Sequence, residues 1–232
     1  MNTRRPFLRW TLSFAALAAF GASAQQAGTL YDPEPPADSA YVRFIVLGSG
    51  AVDVLVDGKP RVTKLAAGTP SDYLVLGAGA RNITLQAAGK PGALLSTAFE
   101  AGKGKAYTLA FASTAKDTKP VVFEDKANTN KLKAVLGVYH LHPKAGPVDV
   151  LTADGATKAF ADLAPGAPAS LQVNPIDVEL IVAKPGSKAA LGQAKLAMTQ
   201  GATYSLFLLP ADGGKFGTVA LQNKTERYTA KP

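Results

Sequence analysis

The chain has 232 residues, a formal net charge of +8, 47% hydrophobic residues and no cysteine. Without a disulfide framework its stability must come from apolar burial, and the length suits two small domains or one large one. The lysines and arginines are scattered and aromatics are sparse, so the charge favours a polyanionic neighbour or an acidic protein surface without the footprint of a nucleic-acid binder.

Residues 1–24 read as a cleaved export signal. The stretch "MNTRRPFLRWTLSFAALAAFGASAQQ" has a basic start, a short run of apolar residues and the small-x-small site Ala22-Ser23-Ala24. That run is too short to span a bilayer, which needs about 20 strongly apolar positions. Arg4-Arg5 followed by Phe7-Leu8-Arg9 is close to a twin-arginine pattern, and an ordinary Sec signal containing Arg-Arg fits equally. Either route predicts a periplasmic protein, and the lack of cysteine excludes a lipid anchor on an N-terminal cysteine. Cleavage after Ala24 leaves 208 residues carrying a charge of about +5, because Arg4, Arg5 and Arg9 leave with the signal.

Residues 25–40, "QQAGTLYDPEPPADSA", are rich in proline, glycine and acidic residues and are expected to run as an extended arm. Within it Leu30, Tyr31, Pro33 and Pro36 are candidate partner-binding residues, since a proline-rich segment is preorganised for docking and Tyr31 offers an aromatic anchor. The alternative is a strap packed on the protein's own first domain.

From Tyr41 the chain falls into short β-branched and aromatic runs: "YVRFIVL", "VDVLV", "DYLVL", "RNITLQ", "LLSTAFE", "AYTLAFA" and "VVFE". Gly, Pro, Asp and Asn separate them, which predicts a β-sandwich over 41–124. The polar stretch "DKANTNK", 125–131, reads as a linker. Residues 132–232 then repeat the plan with "KAVLGVYHL", "VDVLT", "ASLQV", "DVELIV", "QAKLAM", "TYSLFLL" and "GTVALQ". Three landmarks align the halves: "VDVLVDG" with "VDVLTADG", "LAAGTP" with "LAPGAP", and "GKAYTLAF" with "GATYSLFL", at offsets of 96, 98 and 97 residues. The expected fold class is therefore all-β, with two tandem antiparallel β-sandwiches of immunoglobulin-like type arising by internal duplication.

In the repeated strand Val52, Val54 and Val56 should share one face, with Asp53 and Leu55 on the other. Asp57-Gly58 and Asp154-Gly155 supply turn chemistry after each copy. Tyr107 and Tyr204 occupy matching positions in a late strand, where a tyrosine packs inward and hydrogen-bonds at the rim.

Candidate chemistry is thin. His140 and His142 are the only histidines, and on a strand their spacing puts both rings on one face, as in a two-histidine metal pair. A catalytic zinc needs a third ligand, which Asp149, Asp154 or Asp162 would have to supply; the competing reading is two rim histidines where the strand ends before Pro143. There is no G-x-S-x-G elbow and no Asp-x-x-His pair, and Ser49 in "LGSGA" reads as an ordinary glycine-rich bend. The carboxylates fall at turns or on alternating strand faces, so no pair for glycoside hydrolysis stands out, and the sole tryptophan, Trp10, belongs to the leader. The residues thus point to no catalytic set and no cofactor.

The stretches Leu30-Tyr31-Asp32-Pro33 through "SAYVRF", "VFEDKANTNKLKAVL" through "LTADG", and "VNPIDVELIV" resemble, in order and spacing, the AlgF family of periplasmic alginate-biosynthesis proteins. The resemblance implies a non-catalytic accessory role in O-acetylation of an exopolysaccharide, alginate or cellulose. It implies as partners periplasmic SGNH-type O-acetyltransferases and a membrane-bound O-acyltransferase, with anionic polysaccharide a further candidate. The first half also looks like an exported domain found in surface and adhesion proteins, which gives the alternative of a cell-envelope or glycan-binding module unrelated to acetylation.

Overall fold

Two faces of each strand have to be covered, and the covering decides the architecture. The computed structural model describes residues 33–48 and 50–229, so the export signal, Leu30, Tyr31 and Ser49 lie outside the described residues. The first half forms β1 (Ser39–Val46), β2 (Val52–Val56), β3 (Lys59–Leu65), β4 (Leu74–Gly77), β5 (Gly79–Ala87), β6 (Ala93–Ala101), β7 (Ala106–Phe111) and β8 (Val121–Asp125). The second forms β9 (Ala134–His140), β10 (Val148–Thr152), β11 (Lys158–Leu163), β12 (Pro168–Val173), β13 (Ile176–Ala183), β14 (Gly192–Met198), β15 (Thr203–Pro210) and β16 (Phe216–Gln222). The strand orders β4-β1-β7-β8 and β3-β2-β5-β6 recur as β12-β9-β15-β16 and β11-β10-β13-β14, which is the predicted duplication. Tandem β-sandwiches result, one core packing Phe44, Val54, Ile83, Leu85, Leu109 and Phe111, the other Leu136, Val150, Val182, Leu206 and Leu208.

The structure departs from the expectation in four particulars. In each half the central pair, β1 with β7 and β9 with β15, runs parallel, while the other strand pairings are antiparallel. The chain leaves β1 for β2 and β3 in the opposite sheet, returns at the edge strand β4, crosses again through β5 and β6 and only then reaches β7, so no hairpin forces the pair to reverse. Strands β3 and β11 are not among the predicted runs: both are edge strands, β3 mostly polar and β11 a mix of Lys158, Asp162, two alanines, Phe160 and Leu163, and only the last residue of each is buried. The first strand begins at Ser39 and β8 extends to Asp125, the first residue of the expected linker. Finally, residues 224–226 leave the second sandwich and lie on the first. Tyr73 donates its N–H to the Lys224 carbonyl, Glu226 N–H returns to the Tyr73 carbonyl, and Tyr73 and Thr225 bridge in parallel beside the free edge of β4.

The repeated "VDVL" has a physical reason beyond alternation. Val52, Val54 and Val56 are buried as expected, while the aspartate on the other face holds a bulge. Asp53 accepts the Lys64 N–H at 2.7 Å and the Gly89 N–H at 2.9 Å; Asp149 accepts those of Asp162 at 2.9 Å and Gly186 at 3.2 Å. Lys64 and Asp162 have φ of 54° and 48°, the left-handed region that L residues enter at a cost. The ladders β2–β3 and β10–β11 shift register beside these aspartates. One carboxylate per sandwich therefore ties a strained edge residue to a loop on its other side. The two-residue Asp57-Gly58 hairpin, with φ of 51° and 76°, takes the positive-φ geometry that Asp-Gly favours. The rim tyrosines also match: Tyr107 accepts the Gly102 N–H and Tyr204 that of Thr199, each five residues before it.

Asp149 is enclosed, and Lys158 adds an ion pair at 2.6 Å. That lysine, then the two amide donors, hold its carboxyl below the usual range. A lowered folded-state value means that its stabilisation is present above the ordinary carboxylate value and is lost as pH falls through the folded one. We expect Asp149→Ala to cost about 1–3 kcal/mol in urea unfolding at neutral pH. Asp149→Asn should remove part of the stability loss that the wild type undergoes below about pH 4.

Candidate functional site

Strands β1, β7, β9 and β15 carry apolar residues on both faces, and their second faces meet. Ile45, Ala110 and Phe123 of the first sandwich pack against Tyr139, Leu141 and Phe207 of the second. The stacked rings of Tyr139 and Phe207 lie 4.6 Å apart, with Phe123 edge-on to Tyr139. Tyr139 folds back over Gly137, where a Cβ would come within 3.0 Å of its hydroxyl, so glycine is what gives the ring room.

At the centre of this seam is Arg43, 1% exposed. Its Nε donates to Thr108 Oγ1, one terminal nitrogen to Ser205 Oγ and the other to Asn223 Oδ1, each at 2.8 Å. The guanidinium also faces the rings of Tyr73, Phe207 and Tyr139 at 4.5, 5.0 and 5.1 Å. The duplication supplies both halves of the cradle: Thr108 donates to Asp125 as the matching Ser205 donates to the matching Asn223. Asp125 collects the Tyr73 and Tyr139 hydroxyls as well, each at 2.7 Å. The nearby cleft of about 410 Å³ is lined by Asp125, Tyr139 and Asn223 together with Phe160 and Ser170. The sequence places Asp125 in the linker and gives Arg43 no role; an arginine inside an otherwise apolar run is the signal for it.

Burial pushes the Tyr139 phenol up to about 12 and raises Tyr73 further, with Asp125 adding to the rise and Arg43 opposing it. A raised phenol keeps its full stabilisation below the unfolded value of about 10 and loses it as pH climbs through the folded one. In an alkaline absorbance titration, Tyr139→Phe should remove no phenolate signal below about pH 11, where the folded wild-type Tyr139 is still neutral. Arg43→Ala should lower stability by about 3 kcal/mol or more in urea unfolding, and Arg43→Lys should restore only part of it, because an ammonium gathers its donors on one nitrogen and cannot reach three acceptors spread around a planar fork.

The predicted histidine pair is arranged differently from a metal site. Both rings lean on Phe216, each with centroids 5.3 Å away. His140 is buried at 1% exposure, which lowers its pKa. Its Nδ1 accepts the His142 N–H at 3.3 Å and its Nε2 lies 3.2 Å from the Gly146 carbonyl, so Nε2 carries the proton and neither nitrogen is left for a metal. The Nδ1 of His142 is enclosed without a hydrogen-bond partner. Among the described residues no three His, Asp or Glu side chains gather as a metal site, and no serine or threonine hydroxyl bonds a histidine.

The described end of the arm lies along the protein itself. Pro33, Glu34 and Pro35 line a cleft with Tyr41 and the tail residues 225–228, and the Pro36 carbonyl accepts the Ser39 N–H. On the other side of the tail is a larger cleft of about 680 Å³, edged by Lys59, Arg61, Arg81, Arg227 and Tyr228, with the carboxylates Asp57 and Glu226. Arg61 is ion-paired to Glu226, whose carboxylate also caps the Val75 N–H. Arg81 bonds Asp57 and the carbonyls of Gly77 and Ala78; a Cβ on Gly77 would come within 2.8 Å of its guanidinium. The scattered cations give no local sequence signal of this groove, because three separate segments bring them together. Among the described residues no helix is long and apolar enough to cross a membrane.

A family model described as "Alginate O-acetyl transferase AlgF" matches residues 10–205. The alginate biosynthesis protein AlgF of Pseudomonas aeruginosa is 28% identical over 214 residues, covering 90% of this chain and 92% of that protein. Among solved structures, the C-terminal domain of AlgF from P. aeruginosa is similar to 40% of this chain over its full length, at 27% identity and a TM-score of 0.33. The Bacillus anthracis TIE protein aligns with 74% of this chain and 33% of its own, at 10% identity and a TM-score of 0.25.

Proposed function

This chain belongs to the AlgF family, and on that premise we propose that it serves the O-acetylation of alginate as a periplasmic accessory protein. It does not itself catalyse the acyl transfer. The observation carrying this reading is the family match over most of the chain, together with the curated AlgF relative. Two structural features support the accessory part. An acyl transferase working through a serine needs a base at its nucleophile, whereas Ser205 and Thr108 are fully buried and donate to Asn223 and Asp125 in the seam. And the buried arginine joins two sandwiches into one broad body, which suits holding partners in register. The partners on this reading are periplasmic SGNH-type acetyltransferases and the membrane-bound O-acyltransferase that supplies them, docked for acetyl delivery to the polymer.

The test is the acetyl content of secreted polymer from a strain lacking this gene, with the sugar identified in the same sample. The expected outcome is polymer that persists, is alginate and lacks acetyl groups. Normal acetylation in that strain would overturn the proposal.

A further inference from the structure

Duplication leaves an internal reference: residues found in both copies serve the fold, and residues found in one are free for another task. Gly166 donates to the His140 carbonyl as Gly68 does to that of Val46, so His142 stands where the first copy has Gly48. Asp149 pairs with Ala183 as Asp53 does with Gln86, so Lys184 stands where the first copy has Ala87. The connection from β9 to β10, residues 141–147 against residues 47–51 in the first copy, is two residues longer and carries Lys144. These differences fall together. His142, Lys144 and Lys184 line a cleft of about 550 Å³, the size of a small-molecule site, with Val148, Leu191 and Phe216, and no described carboxylate lines it. Both lysines are exposed, and neither ammonium has a partner among the described residues. The enclosed Nδ1 of His142 has no acceptor for a proton, so the proton sits on Nε2 and the open edge of the ring is an N–H donor. The loop is braced before any ligand arrives: His142 N–H donates to His140 Nδ1, Ala145 N–H to the His142 carbonyl, and His140 Nε2 to the Gly146 carbonyl. Phe216 N–H donates to the Leu191 carbonyl, which ties the apolar side together.

We propose that this cleft binds a phosphate monoester with a short apolar body, the phosphate held by Lys144, Lys184 and the His142 Nε2–H and the hydrocarbon laid over Leu191 and Phe216. Two ammonium groups match the charge of about −1.5 to −2 that such a phosphate carries at neutral pH. Lysine binds phosphate as a point charge, whereas a carboxylate is best met by the planar fork of arginine, and no described arginine lines this cleft. Exposed ion pairs alone are weak, so an inorganic anion gains little here and leaves the apolar side wet. Each methylene buried against that side tightens binding by about fourfold. A monoester of this kind has two sources, a free ester or the headgroup of phosphatidic acid. The site goes beyond the accessory role and depends on neither its partners nor its polymer.

The test is titration calorimetry of the mature protein with hexyl phosphate, inorganic phosphate and hexanol, beside co-sedimentation with phosphatidylcholine vesicles with and without phosphatidic acid. We expect hexyl phosphate to bind about tenfold or more tightly than either inorganic phosphate or hexanol. Replacing both lysines, Lys144→Gln with Lys184→Gln, should weaken it about fivefold or more, while Lys59→Gln on β3 of the first sandwich should change it less than about twofold. His142→Phe keeps a ring against Phe216 and removes the donor, and should weaken binding about threefold. Vesicle binding that follows phosphatidic acid and is lost in the double variant names the lipid as the source; binding of the free ester alone names a soluble one. Failure of both hexyl phosphate and phosphatidic acid to bind would overturn the proposal. So would equal affinity for inorganic phosphate, or an equal loss with Lys59→Gln. The acetyl content of the deletion strain bears on the accessory role alone, so either reading can fall without the other.

Discussion

Burial of one guanidinium between two sandwiches is the constraint on which the arrangement of this protein depends. Taking a charge out of water costs several kcal/mol unless the interior replaces its hydration. Arg43 receives that replacement from three hydrogen bonds and three aromatic faces. Hydrogen bonds of a charged donor contribute about 1.5–3 kcal/mol each. These contacts come from β1, β7 and residue 73 on one side, and from β9, β15 and residue 223 on the other. No relative sliding of the two sandwiches can preserve them all. The apolar contacts around Phe207 supply adhesion; the arginine supplies register.

Duplication explains how such a cradle could arise from ordinary parts. Each sandwich contributes a hydroxyl on its returning parallel strand that donates to a side-chain oxygen on the neighbouring strand, Thr108 to Asp125 and Ser205 to Asn223. The copies then diverge where symmetry would be harmful. A second arginine opposite Arg43 would put like charges in a buried seam, and the facing strand instead has Gly137 under the Tyr139 ring. The bulge aspartates diverge less: Asp53 and Asp149 each bond two amides, with Lys158 added only in the second.

Fold class and duplication were legible because alternation and turn chemistry are local. The strands seen least well, β3 and β11, are edge strands whose polar residues face water, so their pattern has little contrast. The parallel pairing was invisible in order along the chain, although a clue lay in "YVRFIVL" and "TYSLFLL": apolar residues at both parities mark strands covered on two faces. Of the candidate site, the histidines were visible as a pair, but their commitment to Phe216 and the loop backbone was not, since loop 141–147 and β16 decide it. Asp125 was hidden by its polarity in a stretch read as linker, because what buries a carboxylate here is the other sandwich.

The tail against β4 sets an order in time. Val75 and the Glu226 that caps it are 151 residues apart. At a synthesis rate of about 5–20 residues per second, β4 is made about 8–30 s before its closing segment exists. Through that interval β4 is an open sheet edge, able to pair with another chain. Its four-residue length keeps the opening small, and the late arrival of residues 224–226 turns a temporary vulnerability into the rim of a groove.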